Sequence, residues 1–164
     1  MKARHPDSAL IIATHAEFMS SEVVIDVSGC DPDLTPHLAI GWGCRVSVPR
    51  RLVTVFVDEE RSLPLLKALA ATRAIAVTFG RGTDHKCIQL KGVDAAFGPP
   101  GRGDAKIMDA YRERLAAHFE QLGMPRARTR VYLGDTEAPA VAISFTPLAV
   151  YEQTPGPGAG EPLR

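Results

Sequence analysis

The sequence predicts a mainly β protein, a small antiparallel barrel of six or seven strands with one short and one long flanking helix. Three observations carry this expectation. Apolar, β-branched runs of strand length recur along most of the chain. The links between them are mostly short, which favours antiparallel neighbours over a doubly wound sheet. Only two segments switch to the three- and four-residue spacing of a helix.

The elements follow in order. Ala9 to Thr14 is apolar and β-branched and reads as a first strand, and Glu22 to Val27 as a second. Ser28, Gly29, Asp31, Pro32 and Asp33 mark a loop before Leu38 to Val48, a strand interrupted by Gly41-Trp42-Gly43. Glycines inside a strand mark a bulge or the close approach of another backbone or a ligand. Leu52 to Asp58 is the strongest strand signal. Ser62 to Thr72 places Leu63, Leu66, Leu69 and Ala70 on one stripe, with Ser62 as cap and Pro64 in the first turn. Ala74 to Phe79 and Cys87 to Phe97 return to strand, and Gly98-Pro99-Pro100-Gly101 ends the second of these. From Asp104 to Leu122 the apolar positions Ile107, Met108, Tyr111, Leu115, Phe119 and Leu122 describe a helix of about five turns, stopped by Gly123. Val141 to Phe145 and Leu148 to Tyr151 supply the last strand. Residues 1–152 form one domain in this reading, and 153–164 a tail rich in Gly and Pro.

Composition narrows the function. The 164 residues are 45% hydrophobic, with 19 basic and 19 acidic side chains and no net charge. No strong positive field would gather phosphates, so a general nucleic-acid binder is not expected. No apolar run is long enough to cross a bilayer, and Met1 to Ser8 has no apolar signal-peptide core. Cys30, Cys44 and Cys87 are distant and odd in number, which reads as free thiols in a cytoplasmic protein. No glycine fingerprint of a dinucleotide fold, P-loop, metal-ligand spacing or Gly-x-Ser-x-Gly elbow is present.

The candidate polar residues lie near strand ends and one helix start. Arg45 stands between apolar Cys44 and Val46, either facing solvent or reaching an anion with its planar fork. Arg61 and Ser62 close one strand and open a helix, either as a plain cap or as a phosphate cradle with the backbone amides. Asp84-His85-Lys86 leads into a strand on which Gln89 and Lys91 share the face opposite Ile88 and Leu90. On a barrel mouth Gln89 would offer donor and acceptor to a flat heterocycle; on an outer face the pair would be a solvated stripe. Trp42 is either a core residue or a stacking platform.

Read in order, four motifs resemble the pyridoxamine 5'-phosphate oxidase-like flavoproteins. They are Gly43-Cys44-Arg45-Val46; Val53-Thr54-Val55-Phe56-Val57-Asp58 followed by Arg61-Ser62 and Leu65-Leu66; Ile75-Ala76-Val77-Thr78-Phe79; and His85 followed by Gln89-Leu90-Lys91-Gly92. The similarity runs from Leu10 to Phe97, and Gln153-Thr154-Pro155-Gly156 also looks like the tail of small members. The resemblance implies a six-stranded antiparallel split β-barrel, a homodimer, and FMN at the subunit interface. It places Arg45, Arg61 and Ser62 on the phosphate side, Gln89 near the flavin, and His85 and Lys86 on the approach to it. Val46, Phe56, Val57 and Lys91 join them as cofactor-binding positions. The family's Ser-Arg-Lys run is Arg61-Ser62-Leu63 here, and the vitamin B6 oxidase's C-terminal substrate residues are not recognisable, so oxidation of that vitamin is not expected. What is expected is an FMN-dependent oxidoreductase acting on a small molecule by positioning, with no proton shuttle assigned. The alternative is a binding or sensor barrel for F420, haem or another flat ligand, with His15, His37, His85 or His118 as an axial ligand.

Overall fold

The computed structural model describes residues 11–134 and 137–163. Its elements are α1 (Ala13–Met19), β1 (Val24–Cys30), β2 (Pro36–Val46), β3 (Val53–Asp58), α2 (Leu63–Thr72), β4 (Ile75–Gly80), β5 (Cys87–Gly92), β6 (Ala96–Gly98), α3 (Asp104–Gln121), α4 (Arg126–Leu133), β7 (Ala140–Phe145) and β8 (Ala149–Glu152). The strands form one hydrogen-bonded series, β6-β7-β3-β2-β1-β4-β5-β8, antiparallel at every step.

β2 is the joint of this series. Its first half pairs with β1 and its second half with β3. Between them the register slips by one residue at Gly41 to Cys44, the bulge that the two glycines signal. A side chain at Gly41 would meet Ile25 at 2.6 Å. Gly43 adopts φ +118°, and a side chain there would press on Tyr111 of α3 at 3.2 Å. The bulge therefore bends the sheet and lets α3 lie directly on the β2 backbone. Inside the curve, rungs such as Val27–Val77–Leu90–Val150 and Val55–Ile143 bury a continuous apolar core.

Eight strands replace the six expected. The run from Cys87 to Phe97 breaks at Gly92, where a Cβ would meet Phe145 and the Thr146 carbonyl, so β5 and β6 pair with different partners. The final apolar stretch likewise divides at Thr146-Pro147, since proline donates no ladder hydrogen bond; β7 joins β3 and β8 joins β5. Of the expected first strand, Ala9 and Leu10 lie outside the described residues, and residues 11–14 are not strand. There the chain enters α1, whose Phe18 and Met19 turn inward, with Ile11 buried just ahead of the helix. A short apolar run does not distinguish strand from buried helix. α4 was not expected, because Arg-Ala-Arg-Thr-Arg carries almost no apolar stripe and only Thr129 and Leu133 are fully covered. The segment from Gln153 to Gly160 makes turns, as its composition suggests, and then doubles back beside β8. Glu152 and Leu163 donate backbone N–H groups to Glu161 and Val150 respectively.

Candidate functional site

β3 delivers Asp58 to the entrance of α2, where its buried carboxylate Oδ1 accepts the Arg61 amide at 2.8 Å. The amide of Ser62 bonds the Asp58 carbonyl, that of Leu63 bonds the Glu60 carbonyl, and Pro64 has none. The amides of Arg61, Ser62 and Leu63 are therefore engaged within the chain, and Ser62 makes no side-chain cap bond. What remains is a recess of about 240 Å³ whose lining includes Ile40, Trp42, Asp58, Arg61, Ser62 and Leu133. Arg61 is the cation of this recess. Its guanidinium lies across Gly134 at φ +87°, where any side chain would collide with it.

Trp42 is the wall, not a free stacking platform. It is 1% exposed, donates Nε1–H to the Leu133 carbonyl at 2.7 Å, and carries the Arg112 guanidinium 4.6 Å above its ring.

Arg45 is elsewhere. It pairs across the ladder with Thr54, while Arg61 lies beyond Asp58 at the other end of β3. Four residue steps of strand separate Thr54 from Asp58, about 13 Å. The Arg45 guanidinium instead grips Asp104 at the start of α3, at 3.0 Å and 3.3 Å, and Asp104 also accepts the Gly101 amide. Val46 is half-buried beside it, whereas Phe56 and Val57 are wholly buried core, leaving only their backbone to meet a ligand.

Gln89 and Lys91 occupy the outer face of the sheet, not a barrel mouth, because Ile88 and Leu90 take the inside. Gln89 stands on a cross-strand rung, Ile40–Asp26–Thr78–Gln89–Tyr151, and donates to Thr78 Oγ1 at 3.1 Å. Ile40 lines the recess and also belongs to this rung, which puts Gln89 three strands, about 14 Å, from Ile40. Lys91 lies over the Tyr151 ring and Lys86 over Phe18. His85 is exposed in the β4–β5 turn at φ +57°. There the hydrogen bond from Arg81 holds the Asp84 carboxyl at about 2. The recess thus gathers Arg61 and Ser62; Gln89 lies on the rung that includes Ile40, and Arg45, His85 and Lys86 are not among the recess-lining residues.

Asp26, in the middle of this face, had no sequence signal beyond its place in an alternating strand. Burial raises its pKa, and its charge in turn helps raise those of the Tyr132 phenol on α4 and the Cys87 thiol. A carboxyl whose folded pKa is raised lowers stability as pH climbs above its unfolded value of about 3.9. Asp26→Asn is therefore expected to raise the melting temperature at neutral pH. The gain should vanish in acid, where Asp26 is itself protonated; paired thermal melts at pH 7 and pH 3 check it.

Cys30, Cys44 and Cys87 are unpaired, and burial pushes the Cys44 thiol up to about 12. Among the described residues no three metal-ligating side chains come together, and no helix is long and apolar enough to cross a membrane.

No family model and no curated protein matches the sequence. Solved structures do match its fold. The HupZ protein of Group A Streptococcus aligns with a TM-score of 0.54 at 14% identity, over 92% of this chain and 99% of that one. A pyridoxamine 5'-phosphate oxidase-related, FMN-binding protein from Nostoc punctiforme aligns with a TM-score of 0.50 at 11% identity, over 92% and 89%. These likenesses support a split-barrel-like fold, with eight strands where the resemblance implies six.

Proposed function

We propose that this chain is a split-barrel-like flavoprotein that binds FMN as a homodimer and serves as an oxidoreductase for a small substrate. The observation that carries this reading is the recess between β2 and the start of α2, where the Arg61 guanidinium and the buried Ser62 stand at the head of a polar face ending in Gln89. The fold shared with the Nostoc protein, described as FMN-binding, supports it.

The donor set suits one end of FMN. Arg61 provides a charge-assisted hydrogen-bond fork for a phosphate. Asp58 opposes it, but its Oδ1 is engaged by the Arg61 amide, which tempers the repulsion. About 240 Å³ is below the roughly 300–1,000 Å³ of a site that encloses a whole drug-sized ligand. The recess thus takes the phosphate end, and the ring needs cover from outside it, which a second copy would supply. Gln89, with its amide N–H on Thr78, keeps its carbonyl oxygen as an acceptor for a heterocyclic N–H. When bound, FMN supplies hydride or electron transfer between substrate and reductant.

Titration of FMN into the purified chain is expected to quench flavin fluorescence at a ratio of one per subunit, with light scattering reporting a dimer. A colourless monomer that leaves added FMN fluorescent removes the proposal. A Soret band or F420 absorbance in the protein as purified replaces FMN with that cofactor.

A further inference from the structure

Asp26 stands between the recess and Gln89. The strand order β2-β1-β4-β5 puts its strand on the way from one to the other. Along the rung Asp26 is one strand, about 5 Å, from Ile40 and two strands, about 10 Å, from Gln89. Its side chain faces outward, because Ile25 and Val27 on either side of it are wholly buried in the core. A ligand anchored in the recess and reaching Gln89 therefore crosses it.

The surroundings give this half-buried carboxyl no counter-charge. Its partners across the ladder are Ile40 and Thr78, neither of them ionisable. The titratable groups close enough to feel its charge are themselves acids: the Tyr132 phenol on α4, the Cys87 thiol on β5 and the buried Tyr111 phenol on α3. Lys91, two residues past Gln89 on β5, extends over the Tyr151 ring of β8, 5.1 Å from its centroid. Arg61 lies beyond Ile40, in the recess. Among the described residues, then, burial alone moves the pKa of Asp26, upward, with no cation or hydrogen bond opposing it. A carboxyl sealed further from water without a partner takes a proton, since the ionised form is too costly to bury.

We propose, resting on the flavin reading above, that Asp26 is a further cofactor-contacting residue and takes up a proton when the ring covers it. In acid Asp26 is already protonated in the free chain, and binding needs no further proton. As pH rises the proton has to be gained on binding, and FMN affinity falls by up to about tenfold per pH unit, the slope of one coupled proton.

Flavin-fluorescence titrations of wild type and Asp26→Asn from acid to pH 9 test this, with calorimetry in two buffers of different ionisation enthalpy to count protons. Asparagine has nearly the shape of aspartate and is neutral throughout. The FMN phosphate titrates in both proteins alike, so the difference between them belongs to Asp26. The two proteins should bind FMN equally well in acid and diverge as pH rises. At pH 8 Asp26→Asn should bind roughly tenfold more tightly, the worth of one pKa unit. At pH 7 wild type should take up more protons on binding than the variant. FMN bound with parallel pH profiles and equal proton uptake overturns the inference and leaves the flavin reading standing. So does weaker binding by Asp26→Asn at pH 8, since the ionised carboxylate would then be serving as an acceptor. Failure of both proteins to bind FMN at any pH removes the flavin reading, and the role of Asp26 with it.

Discussion

Replacing Trp42 by alanine is expected to cost about 3–5 kcal/mol, the range for deleting a large buried aromatic side chain. That is a large share of the ~5–15 kcal/mol by which a domain of this size is stable. Three separate losses combine. The indole is 1% exposed, and its removal leaves a void in the core. Its Nε1–H holds the carbonyl of Leu133, one of the last carbonyls of α4, which has no onward helical partner. Its ring also supports Arg112. Trp42→Phe separates these effects, since it retains most of the apolar contact and loses only the donor, at about 1–3 kcal/mol if the Leu133 carbonyl stays buried. Denaturant unfolding should rank the variants Ala below Phe below wild type. Hydrogen exchange should show the Phe variant opening selectively in α4, a helix with only Thr129 and Leu133 fully buried. Uniform opening throughout the chain would mean that the indole acts as core filling alone.

The position of Trp42 shows what sequence conveys about this fold. Gly41-Trp42-Gly43 announces a bulge because glycine weakens a strand and is kept there for close approach, and the structure has both the bulge and the approach of α3. Strands with two buried neighbours, such as β3 and β4, were legible because their apolar content is continuous or strictly alternating. α1 and α4 were not. α1 begins in an apolar run that suits either period, and α4 is held by Trp42 from far along the chain rather than by a stripe of its own. The eighth strand arises because two apolar runs change partners mid-course, and partner choice is a tertiary property that periodicity does not encode.

The candidate site was legible in residue type and only partly in assembly. Arg61 and Ser62 line one recess, and Gln89 stands three strands away on the rung that includes Ile40. At the helix start, Asp58, three residues before Arg61, takes the Arg61 amide, a contact that residue type alone does not announce. Asp104 had no signal as a partner for Arg45, since the two are brought together only by α3 crossing the end of β2. Asp26 was likewise silent, because the burial that raises its pKa depends on what the fold places around it.

That separation of the arginines leads to a test in which one substitution unfolds and the other unbinds. Arg45→Ala leaves the Asp104 carboxylate, 4% exposed, with only the Gly101 amide. Breaking a fully buried pair costs about 3–5 kcal/mol. Here the arginine is 44% exposed and water screens the pair, so about 1–3 kcal/mol is expected. Asp104→Asn in the same background should recover most of the loss, because a neutral amide needs no counter-charge. Arg61→Ala should reverse the profile. Its side chain projects into the recess, so stability should move by no more than about 0.5 kcal/mol. FMN affinity should fall about ten- to a hundredfold, the worth of hydrogen bonds to a charged group. Denaturant melts and flavin fluorescence on the two single variants and the Arg45/Asp104 double variant decide the matter. If Arg45→Ala weakened FMN as much as Arg61→Ala while its fold stayed intact, both guanidinia would serve the cofactor. A mixed dimer carrying Arg45→Ala on one subunit and Arg61→Ala on the other would then tell whether the two act on one cofactor from the same subunit or across the interface.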